Sequence, residues 1–565
     1  MPPSFAAPTI VWTFAAVCGP LTLLAQDPRA TARDAVSSPA VAAQIDRYLT
    51  RLVPFGYSGN VLIAQRGQII MAKGYGFANR AQQLPFTERT VVPMGSLVKP
   101  FTMLAILQLE HDGKLRTTDS LHRFFPEAPA DKRNITIDQL LVHSSGLPLD
   151  VGTGDRGALA KDEFLRRLFA APLRFPPGSG REYSNGGYAL LASIVERVTD
   201  SEFETVVRDG ILLPAGMLQT GWRDPAWGGD TVAHVYARGG EDFGTMLEAA
   251  KSDDGGINWN QRGNGGWLTT AQDLYRWHRA MLSGAILDSS GRRKHEWTAR
   301  PRVALAGGNG AFETVIEYDA GRDLFIFVHN NANGPLATPI ARTIATIALG
   351  RAVAPPPAVV AVPRAALARL VGRYQLATGG RLAIDTAGGA LVVASEGQVA
   401  VDAITGADPA GSREREAVSA YTDTVLRAWR AGDWRPMHRA FGAAAPLDEF
   451  IRRQTAMRAR FDSRLGAVTG YAVLGTRRQG QAMMTRVRVD RERGSEFESY
   501  GWADRSIVLF AFDDAPPTDR FLPESATRFV NVDPRNGAIV RLAAVRGGGL
   551  AIESAHGRVV AERVR

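Results

Sequence analysis

Seven lysines stand against 59 arginines in this chain, and one of them follows a serine by three residues in Met94-Gly95-Ser96-Leu97-Val98-Lys99-Pro100. Residues at i and i+3 share one face of a helix. In that geometry a neutral lysine amine can take the proton of a serine hydroxyl, which is a weak nucleophile without a base beside it. No other Ser-x-x-Lys occurs in the sequence. Eighty-seven residues after the serine lies Glu182-Tyr183-Ser184-Asn185-Gly186-Gly187-Tyr188, with the only Tyr-x-Asn of the chain. A tyrosine on a loop can point its phenol at a nucleophile. Ser96, Lys99 and Tyr183 are therefore the candidate catalytic set.

The flanking residues supply elements to hold these groups. Phe101, Leu104, Ala105, Leu107 and Leu109 recur with helical spacing directly after Lys99. Pro176-Pro177-Gly178 is a turn signal ahead of Tyr183, and Leu190, Leu191, Ile194, Val195 and Val198 predict a helix behind it. The serine and lysine are thus expected at a helix start, and the tyrosine on a loop between a turn and a helix.

With these motifs in place, the chain resembles the serine hydrolases related to class C β-lactamases, D-alanyl-D-alanine carboxypeptidases and esterases, the penicillin-binding-protein-like group. Asp112-Gly113-Lys114-Leu115 closes the nucleophile helix as in that family. Ile135 to Pro148, with His143-Ser144-Ser145-Gly146-Leu147-Pro148, also fits, as do Pro214 to Thr220 and Gly265-Gly266-Trp267-Leu268-Thr269-Thr270-Ala271-Gln272-Asp273-Leu274. The resemblance covers about residues 40 to 350. It implies a mixed α/β (α+β) β-lactamase/transpeptidase-like domain, with an antiparallel sheet flanked by helices and an all-helical lobe. It also implies roles. Ser96 attacks an acyl carbon, Lys99 or a Tyr183 phenolate takes the proton, and Tyr183 returns it to the leaving group. Asn185 positions Lys99 and substrate.

The third motif of the family departs from its pattern. A Lys or His, then Thr or another residue, then Gly is usual on an inner strand beside the nucleophile. Here the match is Leu305-Ala306-Gly307-Gly308-Asn309-Gly310, followed by two strand patterns at 314–318 and 324–328. Gly307 and Gly308 remain, so the resemblance implies an oxyanion hole from the Gly308 and Ser96 amides, each donor being worth about 3–4 kcal/mol. The cation or imidazole is gone. His295 lies in Arg292-Arg293-Lys294-His295-Glu296, a charge run that reads as a solvated loop. Alternation along a strand puts Arg302 on the face opposite Leu305.

Length and composition bound the rest. A chain of 565 residues with 45% hydrophobic content predicts two or three globular domains. A net charge of +9, dispersed, argues against nucleic-acid binding. The nine histidines are scattered, with no metal-ligand spacing, and no metal or cofactor is expected. An apolar run from Ile10 to Leu24, broken at Gly19 and Pro20, predicts a signal peptide over 1–25 and a secreted or periplasmic protein, with no stable membrane span after cleavage. Cys18, the only cysteine, lies inside it. The hydrolase domain is expected over 38–350 and a Pro/Ala-rich linker over 351–364, marked by Ala354-Pro355-Pro356-Pro357-Ala358. A C-terminal β-rich α+β region is expected over 365–565. It has hairpins at 382–384 and 391–393, helices within 413–461, and strands near 467–475, 482–490, 506–512 and 537–544. Those helices either interrupt a β-domain or open a cone-like α+β fold.

The expected function is an acyl-enzyme hydrolase acting on a small-molecule or peptide-like acyl substrate. Without a third-motif cation, uncharged esters or amides are favoured over β-lactams and D-Ala-D-Ala peptides. A catalytically silent penicillin-binding-like sensor or binding protein is the alternative.

Overall fold

A computed structural model describes residues 39–151, 159–222, 225, 227, 232–236, 240–249, 258–331, 336–442, 446–479, 482–513, 516–545 and 547–564. The expected signal peptide and Cys18 lie outside the described residues. The chain divides into two compact units, the second beginning at Pro356.

In the first unit β1 (Gly59–Gln65), β2 (Gln68–Tyr75), β3 (Arg302–Gly308), β4 (Glu313–Asp319) and β5 (Leu324–Asn330) form one sheet in the order β2-β1-β5-β4-β3. Every pairing is antiparallel. Strands β1 and β5 are buried along their whole length, as befits central strands covered on both faces. Phe325 and Phe327 join the core beneath α4 (Ala271–Ser283), while the alternate residues Ile326 and Val328 face the other way. On that second side α1 (Pro39–Leu52) packs on α5 (Ala337–Ala348), which lies on β4 and β5. In α1, Val41, Ile45, Tyr48, Leu49 and Leu52 form its single buried stripe.

The helical lobe is built around α2 (Lys99–His111) and α3 (Asn185–Thr199), which pack against each other. Helix α2 is apolar nearly all round and is accordingly buried on nearly all sides. Gly113, at φ +70°, ends it in the left-handed conformation that favours glycine.

The second unit is a closed barrel of β6 (Gly372–Leu376), β7 (Arg381–Ala387), β8 (Ala390–Glu396), β13 (Thr518–Pro523), β14 (Arg528–Asp533), β15 (Ala538–Ala544), β16 (Leu550–Ser554) and β17 (Gly557–Val564). Its interior is filled by Tyr374, Leu382, Leu391, Phe521, Phe529, Leu542 and Leu550. Between β8 and β13 the chain leaves to form α6 (Gln398–Thr405), α7 (Ser412–Arg430), α8 (Arg435–Ala440) and α9 (Leu447–Leu465). A four-stranded sheet follows, β9 (Val468–Gln479), β10 (Ala482–Arg491), β11 (Gly494–Ala503) and β12 (Ser506–Asp513). Helices α7 to α9 pack on one face of that sheet through Val425, Met437, Phe450, Val487, Tyr500 and Phe510. The helices and the sheet form one α+β layer, and that layer interrupts the β-barrel in sequence. Residues 351–363 have no regular structure.

Candidate active site

Ser96 sits in a 3-10 turn, Gly95–Val98, that runs straight into α2, so Lys99 is the first α-helical residue. Gly95 has φ +53°, which turns the chain sharply before the nucleophile. The segment is held from outside by the Met94 amide, which donates to the Trp267 carbonyl at 2.9 Å. Lys99 is only 5% exposed. Its Nζ lies 3.1 Å from Ser96 Oγ, 2.8 Å from Asn185 Oδ1 and 3.1 Å from the Asn264 carbonyl oxygen. Tyr183 Oη donates to Ser96 Oγ at 2.7 Å. The lysine also stands 4.6 Å from the Tyr183 ring centre and 5.6 Å from that of Tyr188. The structure thus brings together Ser96, Lys99, Tyr183 and Asn185.

The Tyr183 loop is strapped to the loop after Leu141. Glu182 N–H donates to the His143 carbonyl at 3.0 Å, and Asn185 N–H to that of Leu149 at 2.8 Å. Ser184 caps α3, accepting from Gly187 N–H at 2.9 Å and donating to the Pro148 carbonyl at 2.7 Å. The His143 ring lies against that of Tyr183, with ring centres 4.4 Å apart and planes tilted by 33°, and its Nδ1 accepts from Ser184 N–H at 3.2 Å. Burial above all pulls its pKa down to about 3, so the imidazole is neutral near pH 7.

The third motif falls on β3. Gly307 is packed so tightly against the nucleophile turn that an added Cβ would meet the Met94 carbonyl oxygen at 2.0 Å and Ser96 N at 2.6 Å. Gly308 borders the cleft. Its amide lies beside the turn as well: a Cβ on Gly95 would come within 2.6 Å of Gly308 N. Leu305 is not among the cleft residues; it packs against the main core. Arg302, directly across from Asp319, pairs with it at 3.0 Å.

His295 corrects the sequence reading. It is fully buried, not solvated: its Nδ1 accepts from Trp297 N–H at 3.2 Å and its Nε2 lies 3.1 Å from the Pro100 carbonyl. The preceding residues 289–294 form a short helix whose Arg293 and Lys294 face solvent, and the chain turns inward just after them.

Residues 258–266 were missed as a site element. Asn258, Asn260, Gln261, Arg262 and Asn264 are all buried there. Arg262 anchors the segment through Glu202, Glu204 and, at 3.5 Å, Glu196. Thr102 Oγ1 donates to the Gly263 carbonyl at 2.6 Å. Gly263, at φ +72°, lies so close to α3 that a Cβ would meet Ala192 Cβ and the Tyr188 carbonyl at 2.8 Å. The Asn/Gln/Gly density of Asn258-Trp259-Asn260-Gln261-Arg262-Gly263-Asn264-Gly265-Gly266 was the available signal. The cleft over Ser96, about 440 Å³ counted to its open mouth, is lined by Asn185, Met246, Gln261, Asn264, Asn309 and Phe312 among others, and among the described residues none that lines it is charged.

A stretch of 179 residues is 31% identical to PbpX of Bacillus subtilis (strain 168), a protein named for penicillin binding, covering 32% of this chain and 44% of that one. A stretch of 224 residues is 34% identical to esterase EstB of Burkholderia gladioli, covering 36% and 56%. The chain spans about half the length of such curated relatives. Among solved structures, a penicillin binding protein from Bacillus halodurans aligns over 53% of this chain and 98% of its own, at 24% identity and a TM-score of 0.46. The family model described as Beta-lactamase matches residues 56–349, just over half the sequence, and the chain belongs to the β-lactamase family.

Proposed function

We propose that the protein is a secreted serine hydrolase that forms an acyl-enzyme on Ser96, acting on uncharged esters or amides and weakly on β-lactams and D-Ala-D-Ala peptides. The observation that carries this reading is the convergence of Tyr183 Oη at 2.7 Å and Lys99 Nζ at 3.1 Å on one serine oxygen. A neutral lysine has two N–H donors and one lone pair. Asn185 Oδ1 and the Asn264 carbonyl can only accept, so each holds a Lys99 N–H, and a neutral amine held this way can turn its lone pair to the Ser96 hydroxyl. In that arrangement Lys99 removes the serine proton as the Oγ–carbonyl bond forms. Tyr183, touching the same oxygen, passes a proton to the leaving group as its bond to the acyl carbon breaks. The amides of Ser96, in the turn before α2, and of Gly308, at the end of β3, hold the developing oxyanion. Water then attacks the acyl-enzyme and frees Ser96.

The neutral cleft supports the choice of substrate. A charge-assisted hydrogen bond to a substrate carboxylate is worth roughly 1.5–3 kcal/mol, and among the described residues neither the cleft lining nor Leu305 and Ala306 offers a cation for one. Export rests on the apolar run at residues 10–24. Among the described residues no helix is long and apolar enough to cross a membrane.

The test has two steps. A fluorophosphonate probe should give a single adduct on Ser96 by mass spectrometry; a folded protein that stays unlabelled would favour the silent binding protein. Then kcat/KM is compared for 4-nitrophenyl butyrate and a chromogenic cephalosporin. A clear preference for the cephalosporin would overturn the substrate reading.

A further inference from the structure

The second unit carries a row of three arginines whose middle member is unmatched. In β9 and β10, Gly475 lies opposite Arg486 and Arg477 opposite Met484. Arg477, Arg486 and Arg488 therefore share one side of the sheet, as cross-strand and diagonal neighbours. That side is turned away from α7, because Thr476, on the opposite side, meets Ser419 of α7 at 2.7 Å. It is turned toward the barrel. Arg477 reaches Asp519 of β13 at 3.0 Å, and Arg488 reaches Glu396 of β8 at 3.3 Å. Arg488 also holds Asp490 at 2.8 Å. The Arg486 guanidinium, between them, makes no hydrogen bond or ion pair among the described residues.

Its neighbours leave it room. The row across the sheet reads Gly475, Arg486, Ser499, Ala511, so small residues stand on both sides of the guanidinium. Helix α6 covers the Gly475 end, where an added Cβ would meet Val401 at 2.7 Å. Arg486 and Ala511 are partly accessible and Ser499 is 9% exposed.

We propose that this barrel-facing side of the sheet is a binding site for a small oxyanion, a phosphate or a carboxylate. Arg486 supplies the two-pronged cation, and Ser499 supplies a hydroxyl donor directly beside it. The site is separate from the Ser96 cleft and does not depend on the hydrolase reading. Its electrostatics agree. Burial, then the charge of Arg477, draw the Arg486 pKa down to about 9, and Asp519 and Asp513 counter this only in part. Arg535, also close, is occupied by Asp533 at 2.7 Å. At neutral pH Arg486 is therefore a protonated, poorly compensated cation in a confined space.

The experiment is a thermal-shift and calorimetric titration of the full chain with inorganic phosphate and, separately, with acetate, against chloride at fixed ionic strength. A saturable rise in Tm with at least one oxyanion is expected, and the responding arm names the chemistry. In Arg486→Met, affinity should fall at least about tenfold, with Tm in chloride no lower than wild type because a desolvated charge has gone. Should that variant fail to fold, Arg486→Lys and Ser499→Ala are titrated instead, and each should weaken binding. No response beyond chloride in the wild type, or undiminished response in the variants that fold, overturns the proposal.

Discussion

The two units bury polar groups in opposite ways. In the first, the buried polar side chains around Ser96 converge on a site: Lys99, Asn185 and the segment anchored by Arg262 all end at one hydroxyl or at the lysine that touches it. In the second, they answer each other. Arg458 pairs with Glu498 at 2.9 Å and Arg491 with Glu496 at 2.8 Å, all nearly or wholly excluded from solvent. Tyr500 closes the first pair by donating to Glu498. Closed pairs add definition to a core and leave nothing to react; a converging set leaves one group poised. Arg486 is the exception that gives the second unit a proposed site.

The largest effect should follow from breaking the converging set. Ser96→Ala should lower kcat/KM for an activated ester by roughly 10⁴-fold or more and abolish the covalent adduct, with the circular dichroism spectrum unchanged. Lys99→Arg should be nearly as inactive as Lys99→Ala, because arginine keeps the charge and cannot release its proton. Activity retained in the arginine variant would make Lys99 an electrostatic partner rather than a base.

Gly307→Ala comes next. Its Cβ would overlap the Met94 carbonyl, so β3 or the nucleophile turn must shift. A loss of about 10²-fold in kcat is expected from ångström-scale misplacement. In the second unit, Gly470 meets only Asp490 at an ordinary 3.6 Å, and Gly470→Ala should cost within about 0.5 kcal/mol. Equal effects at the two sites would erase the distinction between the units.

Opening a closed pair should cost stability and spare the chemistry. Arg458→Met leaves Glu498 charged and buried, at about 3–5 kcal/mol, seen as a lower urea midpoint for the second unit. Ester hydrolysis measured below that midpoint should not change. A variant as stable as wild type would mean that the pair is idle.

Acid gives the gentlest contrast. Burial holds His143, His278 and His329 near pKa 3 and His295 near 4, all in the first unit, against 6.5 for a free imidazole. Below pH 6.5 the unfolded chain binds these protons and the folded chain does not. Stability is therefore present above 6.5 and lost as pH falls toward 3, at about 1.4 kcal/mol per unit for each group. Glu317, raised by burial to about 7, works the other way between roughly pH 4.5 and 7. Four imidazoles outweigh one carboxyl, so stability should already fall between pH 6.5 and 4.5, and fall fastest just below 4.5, where Glu317 no longer offsets them. Urea midpoints at pH 6.5, 5.5, 4.5 and 3.5 test this, and a flat profile between the last two would refute it.

The sequence displayed chemistry that is local and hid chemistry that is not. Ser96 and Lys99 were legible because three residues of helix fix their geometry, and Tyr183 because a turn and a helix bracket it. The Asn264 contribution is a backbone carbonyl, and a carbonyl has no residue type to read. Arg262 reads as one charge among many until Glu196, Glu202 and Glu204 surround it. His295 was misplaced because its neighbours in sequence are charged, although it follows the inward turn after a short exposed helix. Hairpins in the second unit were visible as alternation, but closure depends on β6 meeting β17, where Arg373 pairs with Val564 across almost the whole unit. No periodicity reports which edges meet.

The departure point of the α+β layer has a consequence for the history of the molecule. Strands β8 and β13 are neighbours in the barrel, with Ala394 opposite Thr518. The chain therefore leaves and re-enters at points one ladder step apart. An excursion of more than a hundred residues adds only a modest closure penalty, since that penalty grows logarithmically with length and the excursion folds on itself. The same geometry makes it removable. A short connection in place of 407–517, which keeps α6 because its Ala400 and Ile404 belong to the barrel core, should leave an eight-stranded barrel with intact strand order, so the barrel and its cargo are free to have different ancestries.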